Sequence, residues 1–166
     1  MLKVIFLDMD GVINNTTHPL ICLPMRRKDN IISQSTLWGA NNIAPFLKLM
    51  KWCYEEDIQI VISSTWRLTM TKELFEEYFN LYFERNNLPK IHGCTNVCLQ
   101  SFMHRGIEIR EYVIKHNIQQ YLCIDDDTLD ILQEIPKDYV YETNPDTGLL
   151  DYDVNKIKKI WKKKFK

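Results

Sequence analysis

An apolar run, Val4-Ile5-Phe6-Leu7, stops abruptly at Asp8-Met9-Asp10-Gly11. Two carboxylates one residue apart are out of place at the end of such a run unless they are paired or hold a cation. Acids and hydroxyls close two further apolar runs. Gln59-Ile60-Val61-Ile62 leads into Ser63, Ser64, Thr65, Trp66 and Arg67, and Tyr121-Leu122-Cys123-Ile124 leads into Asp125, Asp126 and Asp127, with Asp130 beyond. If these runs are neighbouring parallel strands, Asp8, Asp10 and the later aspartates gather at one rim. Like charges that close do not all ionise without a cation. Oxygen donors alone select a hard ion such as Mg²⁺, which takes a few carboxylates and leaves its other positions to water and phosphate. Asp127 and Asp153 read more simply as turn or cap residues.

The elements that must position these groups follow from periodicity. Strand-like runs fall at Lys3–Leu7, Ile58–Ile62, Tyr121–Ile124 and Tyr139–Tyr141. The first has no amphipathic period, which suits a strand buried on both faces of a parallel sheet. Between the runs, Asn41–Glu56 places Ile43, Phe46, Leu47, Met50 and Tyr54 at helical spacing. Thr71–Arg85 carries one stripe of Leu74, Phe75, Tyr78, Phe79, Tyr82 and Phe83, with Thr71 as its N-cap. That stripe reads as core packing rather than a stacking platform for bases. Gly106–Lys115 and Asp151–Phe165 are two further helices. Strands alternating with helices predict an α/β fold: a three-layer, Rossmann-like open parallel sheet with helices on both faces. In such sheets ligands bind beyond the carboxyl ends of the strands, where the acids lie.

With 166 residues, 45% hydrophobic and 26% charged, the chain is expected to form a single domain, 1–166. A net charge of −1 provides no global field for nucleic acid or membrane. Cys22, Cys53, Cys94, Cys98 and Cys123 form an odd set; Cys94 and Cys98 lack the second pair that a zinc site needs. No signal peptide or long apolar span is evident, so the expected location is cytoplasmic, with no membrane partner. Residues 14–40 are polar, with Pro19, Pro24 and Arg26-Arg27-Lys28, and are expected to form a flap or loop insertion. Residues 151–166 end in KIKKIWKKKFK, a basic C-terminal helix whose lysines are either solvated or make a weak contact with a nucleic-acid backbone.

The motifs carry a resemblance. DMDGV after an apolar strand resembles the DxDGx motif of the haloacid dehalogenase (HAD) superfamily of phosphohydrolases. VISS resembles its second motif, Arg105 opening RGIEIREYV stands where the family places Lys or Arg, and CIDDDTLD resembles its acidic fourth motif. SSTWR, RGIEI, IDDD and TNPDTGL together resemble a small capless branch associated with nucleic-acid repair proteins. The resemblance runs from residue 3 to about 157 and implies an HAD-like sheet with no folded cap. It implies Asp8 as nucleophile and Asp10 as the acid that protonates the leaving oxygen and then activates water. Mg²⁺ would be held by Asp8, the Asp10 main-chain carbonyl and Asp126, with Asp125 or Asp130 in support. Ser63, or Ser64 if the strand ends one residue later, would bind the phosphoryl oxygens, and Arg105 would offset their charge. Gly11 would let the backbone turn so that both acids face the phosphoryl group. Trp66 and Arg67 would meet the substrate by stacking and charge, or else be a core Trp beside a surface Arg.

The expected function is therefore a Mg²⁺-dependent phosphatase working through an aspartyl-phosphate. An open site suits nucleotides, nucleic-acid terminal phosphates or phosphoproteins. The rivals are a non-catalytic phosphate-binding module of the same fold and a phosphotransfer receiver. Intact Asp8 and Asp10 argue against the first. The DxDG motif on the first strand argues against the second, because a receiver carries its phosphorylated Asp on a later strand.

Overall fold

A computed structural model describes residues 1–15, 43–80, 88–96 and 104–165. Five parallel strands, β1 (Lys3–Leu7), β2 (Gln59–Ile62), β3 (Ile91–Cys94), β4 (Gln120–Asp125) and β5 (Val140–Glu142), lie in the order β3-β2-β1-β4-β5. Helices α1 (Ile43–Glu55), α2 (Lys72–Asn80), α3 (Arg105–Lys115), α4 (Ile131–Glu134) and α5 (Asp151–Phe165) cover the two faces. The predicted α/β architecture is thus the observed one. The sheet and its helices leave no room in 166 residues for a folded cap.

β1 is the central strand. Val4, Ile5, Phe6 and Leu7 are all fully buried, which is why the run shows no period of two. Ile5 and Leu7 join Ile60, Ile62, Leu122 and Ile124 on one face, under Phe46, Leu49 and Met50 of α1, Phe75 and Phe79 of α2, and Val154, Ile157 and Trp161 of α5. Trp52 and Trp161 meet edge to face, their ring centroids 6.0 Å apart, and tie α1 to α5. Val4, Phe6, Val61 and Cys123 face the other way, under Ile109 and Tyr112 of α3 and Ile131 of α4.

α1 and α3 end by the same device. Asp57 (φ 54°) and Asn117 (φ 50°) take the left-handed conformation, and the next residue donates back into the helix: Ile58 N–H to Cys53 (2.8 Å) and Ile118 N–H to Val113 (3.0 Å). Asn and Asp tolerate that region better than other side-chain-bearing residues. Both isoleucines are buried, and β2 and β4 start soon after them. Thr71 caps α2 as expected, its hydroxyl accepting from Leu74 N–H at 3.4 Å.

Several expectations shift. β3 was not foreseen: Ile-His-Gly-Cys is short and only half-buried past Ile91. β5 starts one residue later than the Tyr139 expected, because Tyr139 closes a 3-10 turn at Lys137–Tyr139. Phe75 and Phe79 are core residues as predicted, whereas Tyr82, Phe83 and the Tyr78 side chain lie outside the described residues. So does the expected flap, apart from Asn14 and Asn15, and so do Cys22 and Cys98. Cys53 and Cys123 are buried free thiols. Among the described residues, no helix is long and apolar enough to cross a membrane.

Candidate active site

The strand order reverses at β1, whose connections lead to β2 on one side while β4 pairs on the other. Such a switch point opens a crevice beyond the strand ends. Leu7 is in register with both Ile62 and Ile124, so the next residues of the three central strands, Asp8, Ser63 and Asp125, stand in a row. The ladder runs into this row: Asp8 N–H donates to Ile124 (3.0 Å) and Ser63 N–H to Leu7 (3.0 Å).

Oxygens of Asp8, Asp125 and Asp126 lie within 4.8 Å of one another, the one such group of possible metal ligands among the described residues. Asp8 and Asp125 are almost wholly buried. Asp8 Oδ1 is buried and accepts no hydrogen bond. Burial raises the Asp8 carboxyl above the ordinary range, opposed by the Arg105 charge and the nearby Ser64 hydroxyl. Burial and the Asp8 charge push Asp125 up to about 7, against the pull of Arg105. Asp126 is raised as well, chiefly by burial. Three acids that resist ionisation together, with one orphaned oxygen, fit an all-oxygen site for a divalent cation.

Arg105, at the start of α3, supplies the positive charge in the cluster. Its guanidinium lies 3.4 Å from Asp8 Oδ2 and hydrogen-bonds Asp125 Oδ2. Burial pulls the guanidinium down, but Asp8 and Asp125 outweigh it and hold its proton more firmly than usual. The residue that the sequence placed opposite the phosphoryl group is therefore seated among the acids. Asp130, expected to support the metal, has a different seat. Its Oδ2 accepts the Arg105 backbone N–H at 2.6 Å and so fixes the first turn of α3. That close approach needs Gly106, where a Cβ would stand 2.5 Å from the Asp130 carbonyl oxygen. Asp127, as foreseen, belongs to a turn, donating its N–H to Asp125 Oδ1 at 3.0 Å.

Gly11 brings the β1 loop against the acidic cluster. It has φ +70°, and a Cβ there would lie 2.1 Å from Asp126 Cγ. Thr143, at the end of β5, donates its hydroxyl to the Gly11 carbonyl at 2.9 Å, and Leu149 N–H donates to Val12 at 2.7 Å. The TNPDTGL turn thus braces the DxDG loop from the far side. Asp10 is exposed; its Oδ2 accepts from Trp66 Nε1–H at 2.8 Å and its Oδ1 from Asn14 Nδ2 at 3.2 Å.

Ser63 and Ser64 are both buried, and Ser64 Oγ caps the following 3-10 turn (Thr65–Leu68) by accepting from Trp66 N–H at 3.4 Å. Arg67 is not the surface residue that one expectation made it. Its side chain is 8% exposed, forms an ion pair with Glu108 of α3, and donates to the Ser63 and Ser64 carbonyls at 3.2 and 2.6 Å. Trp66 is half-buried, packs against the core and reaches Asp10 with its indole N–H. Glu108, Thr143 and Asn14 escaped the sequence reading as site residues. The signal for Glu108 was its place one helical turn after Arg105.

The lysine-rich end of α5 is remote from this rim. Lys164 pairs with Asp138 and lies 3.4 Å over the Tyr139 ring, just ahead of β5, at the opposite edge of the sheet. Asp153, at the other end of α5, is a cap as expected and accepts from Leu150 N–H at 2.9 Å.

Neither the curated proteins nor the solved structures include a match to this chain. One family model matches residues 4–154, a span that runs from β1 into α5 and takes in Asp8, Asp10, Ser63, Arg105, Asp125 and Asp126. The chain belongs to that family, the HAD domain in Swiss Army Knife RNA repair proteins.

Proposed function

We propose that the chain is a Mg²⁺-dependent phosphatase that removes terminal phosphates from nucleic-acid ends or nucleotides through a phosphorylated Asp8. Family membership supports a phosphohydrolase-type enzyme in general, and the RNA repair context of the family favours a phosphorylated nucleic acid as substrate. The observation that carries the reading is the meeting of Asp8, Asp125 and Asp126 at the switch point, with Asp8 Oδ1 unpartnered and Arg105 beside it. A buried acceptor left bare is costly in a finished fold, and its freedom is what a nucleophile or a metal ligand requires.

Asp8 attacks phosphorus and the ester oxygen leaves. Asp10, exposed and two residues on, gives that oxygen a proton and later takes one from the water that cleaves the aspartyl-phosphate. Arg105 offsets charge on the phosphoryl oxygens. Ser63 and Ser64, held from behind by Arg67, form the wall beside β1. Asp8, Asp126, Asp125 and the Asp10 carbonyl would hold Mg²⁺, which when bound neutralises the repulsion between a carboxylate and a phosphate dianion. Without a cap, the rim admits the end of a long chain.

The test is phosphate release from nucleotides, 3′- and 5′-phosphorylated oligonucleotides and phosphopeptides, with Mg²⁺ or EDTA, for the native chain and Asp8→Asn. Turnover of oligonucleotide ends that needs both Mg²⁺ and Asp8 is the expected result. Preference for phosphopeptides would replace the substrate class, and binding without turnover would make the chain a phosphate-binding module.

A further inference from the structure

We propose that Trp66 is a positioning residue for the proton-transfer step: its indole N–H fixes which oxygen of Asp10 carries the proton to the leaving group. The inference rests on Asp10 being the acid and base of the reaction. It goes further by assigning the partner that aims it.

Asp10 is exposed, and an exposed carboxylate ordinarily turns freely about its side-chain bonds. Here Oδ2 is engaged at 2.8 Å by Trp66 Nε1–H, a group that donates and cannot accept. The hydroxyl oxygen of a carboxylic acid is a weaker acceptor than its carbonyl oxygen, so this contact favours the proton of protonated Asp10 on Oδ1. Oδ1 meets Asn14 Nδ2 at 3.2 Å, and an amide can turn to offer its oxygen instead. The two neighbours differ in kind: Trp66 disfavours the proton at one oxygen, and Asn14 can accommodate it at the other.

The indole packs against the core, and the backbone that carries it is fixed. Ser64 Oγ accepts from Trp66 N–H at 3.4 Å, and the Trp66 carbonyl accepts from Thr69 N–H (3.0 Å) and Met70 N–H (2.9 Å). The next residue, Arg67, is anchored to the Ser63 and Ser64 carbonyls and to buried Glu108. The turn after β2 is thus fixed to β2 and to α3, the helix that seats Arg105. A side chain supported in this way orients a catalytic group more sharply than one on a loose loop.

Leaving groups discriminate this role from a merely structural one. p-Nitrophenolate departs with little help from an acid, whereas a sugar alkoxide needs its proton. For Trp66→Phe, which keeps an aromatic ring and removes the donor, kcat/KM should fall ~10–100-fold on a 3′-phosphorylated oligonucleotide and less than ~3-fold on p-nitrophenyl phosphate. Equal losses on both substrates, or no loss on either, overturn the proposal. Asp10→Asn is the reference. If it shows the leaving-group-selective loss and Trp66→Phe does not, Trp66 alone loses its role. If Asp10→Asn shows no selectivity, the acid assignment itself fails, and the proposal with it. A second measurement does not depend on Trp66→Phe folding. In the ¹H–¹⁵N spectrum of the otherwise native chain, Asp10→Asn should move one of the four tryptophan indole N–H signals upfield. Four unmoved signals overturn the contact.

Discussion

Gly11→Ala separates the metal from the fold. The backbone there has φ +70°, a region that costs a residue with a Cβ ~1–2 kcal/mol. In a chain of this length that lowers Tm by ~2–8 °C. The larger effect falls on Asp126, whose Cγ would stand 2.1 Å from the new methyl group. Ordinary carbon contact begins at ~3.5 Å, so the carboxylate must retreat by more than ~1 Å. Metal ligands tolerate errors of only ~0.2 Å. Even displaced outer partners of a metal reduce affinity ~10–100-fold, so the loss of Asp126 should be at least that large. The assay is thermal unfolding across a Mg²⁺ titration. At a concentration of ~100 times its dissociation constant, Mg²⁺ adds ~2.7 kcal/mol to the native chain, or ~5–11 °C. A 100-fold weaker site keeps only ~0.4 kcal/mol of that, about 1–2 °C. If Gly11→Ala retains the native Mg²⁺ response after its own small drop in Tm, Asp126 is not a ligand and the acidic cluster has been misread.

Four further outcomes are expected. Asp8→Asn should abolish phosphate release while circular dichroism stays native; turnover near the native level would remove Asp8 as nucleophile. Asp125, pushed up to about 7 in the fold against ~3.9 in an unfolded chain, binds its proton more tightly when folded. Its contribution to metal-free stability is therefore full below pH ~4 and lost as pH rises through ~7, so Tm without Mg²⁺ should fall over that window and excess Mg²⁺ should flatten the trend. A trend of the opposite sign would contradict the burial argument. Glu108→Ala leaves the Arg67 guanidinium buried and unpaired and should cost ~3–5 kcal/mol in urea unfolding, much of it recovered in Arg67→Met/Glu108→Leu. A single-variant loss under ~1 kcal/mol would mean the pair is solvated. Lys162→Gln/Lys163→Gln should leave the salt dependence of oligonucleotide turnover unchanged, because that end of α5 is at the rim away from Asp8. A shallower salt slope would show a backbone contact there.

What could be read in the sequence follows burial. β1, β2 and β4 are packed on both faces, so their unbroken apolar runs announced a parallel sheet, and the acids at their ends announced the rim. β3 is short and half-buried past Ile91 and four-residue α4 has no period to detect, whereas β5, short as it is, lies one residue from its expected place. In the site, residue types at strand ends were legible, but partners distant in sequence were not. Arg67 finds Glu108 41 positions away, and Trp66 finds Asp10 56 positions away; spacing says nothing about either. The resemblance offered Asp130 as support for a metal, and only the fold shows its carboxylate accepting from a helix N–H.

The reversal of strand order at β1 also bears on how the chain matures. Asp8 is made well before Asp125 and Asp126, which arrive with β4, after three strands and three α-helices among the described residues. Pairing such distant segments is a slow, late event in folding. A nascent chain that stops short of β4 has Asp8 but neither the acids that complete the cluster nor the strand that flanks β1. The acidic cluster therefore assembles in one step, once β4 has paired with β1.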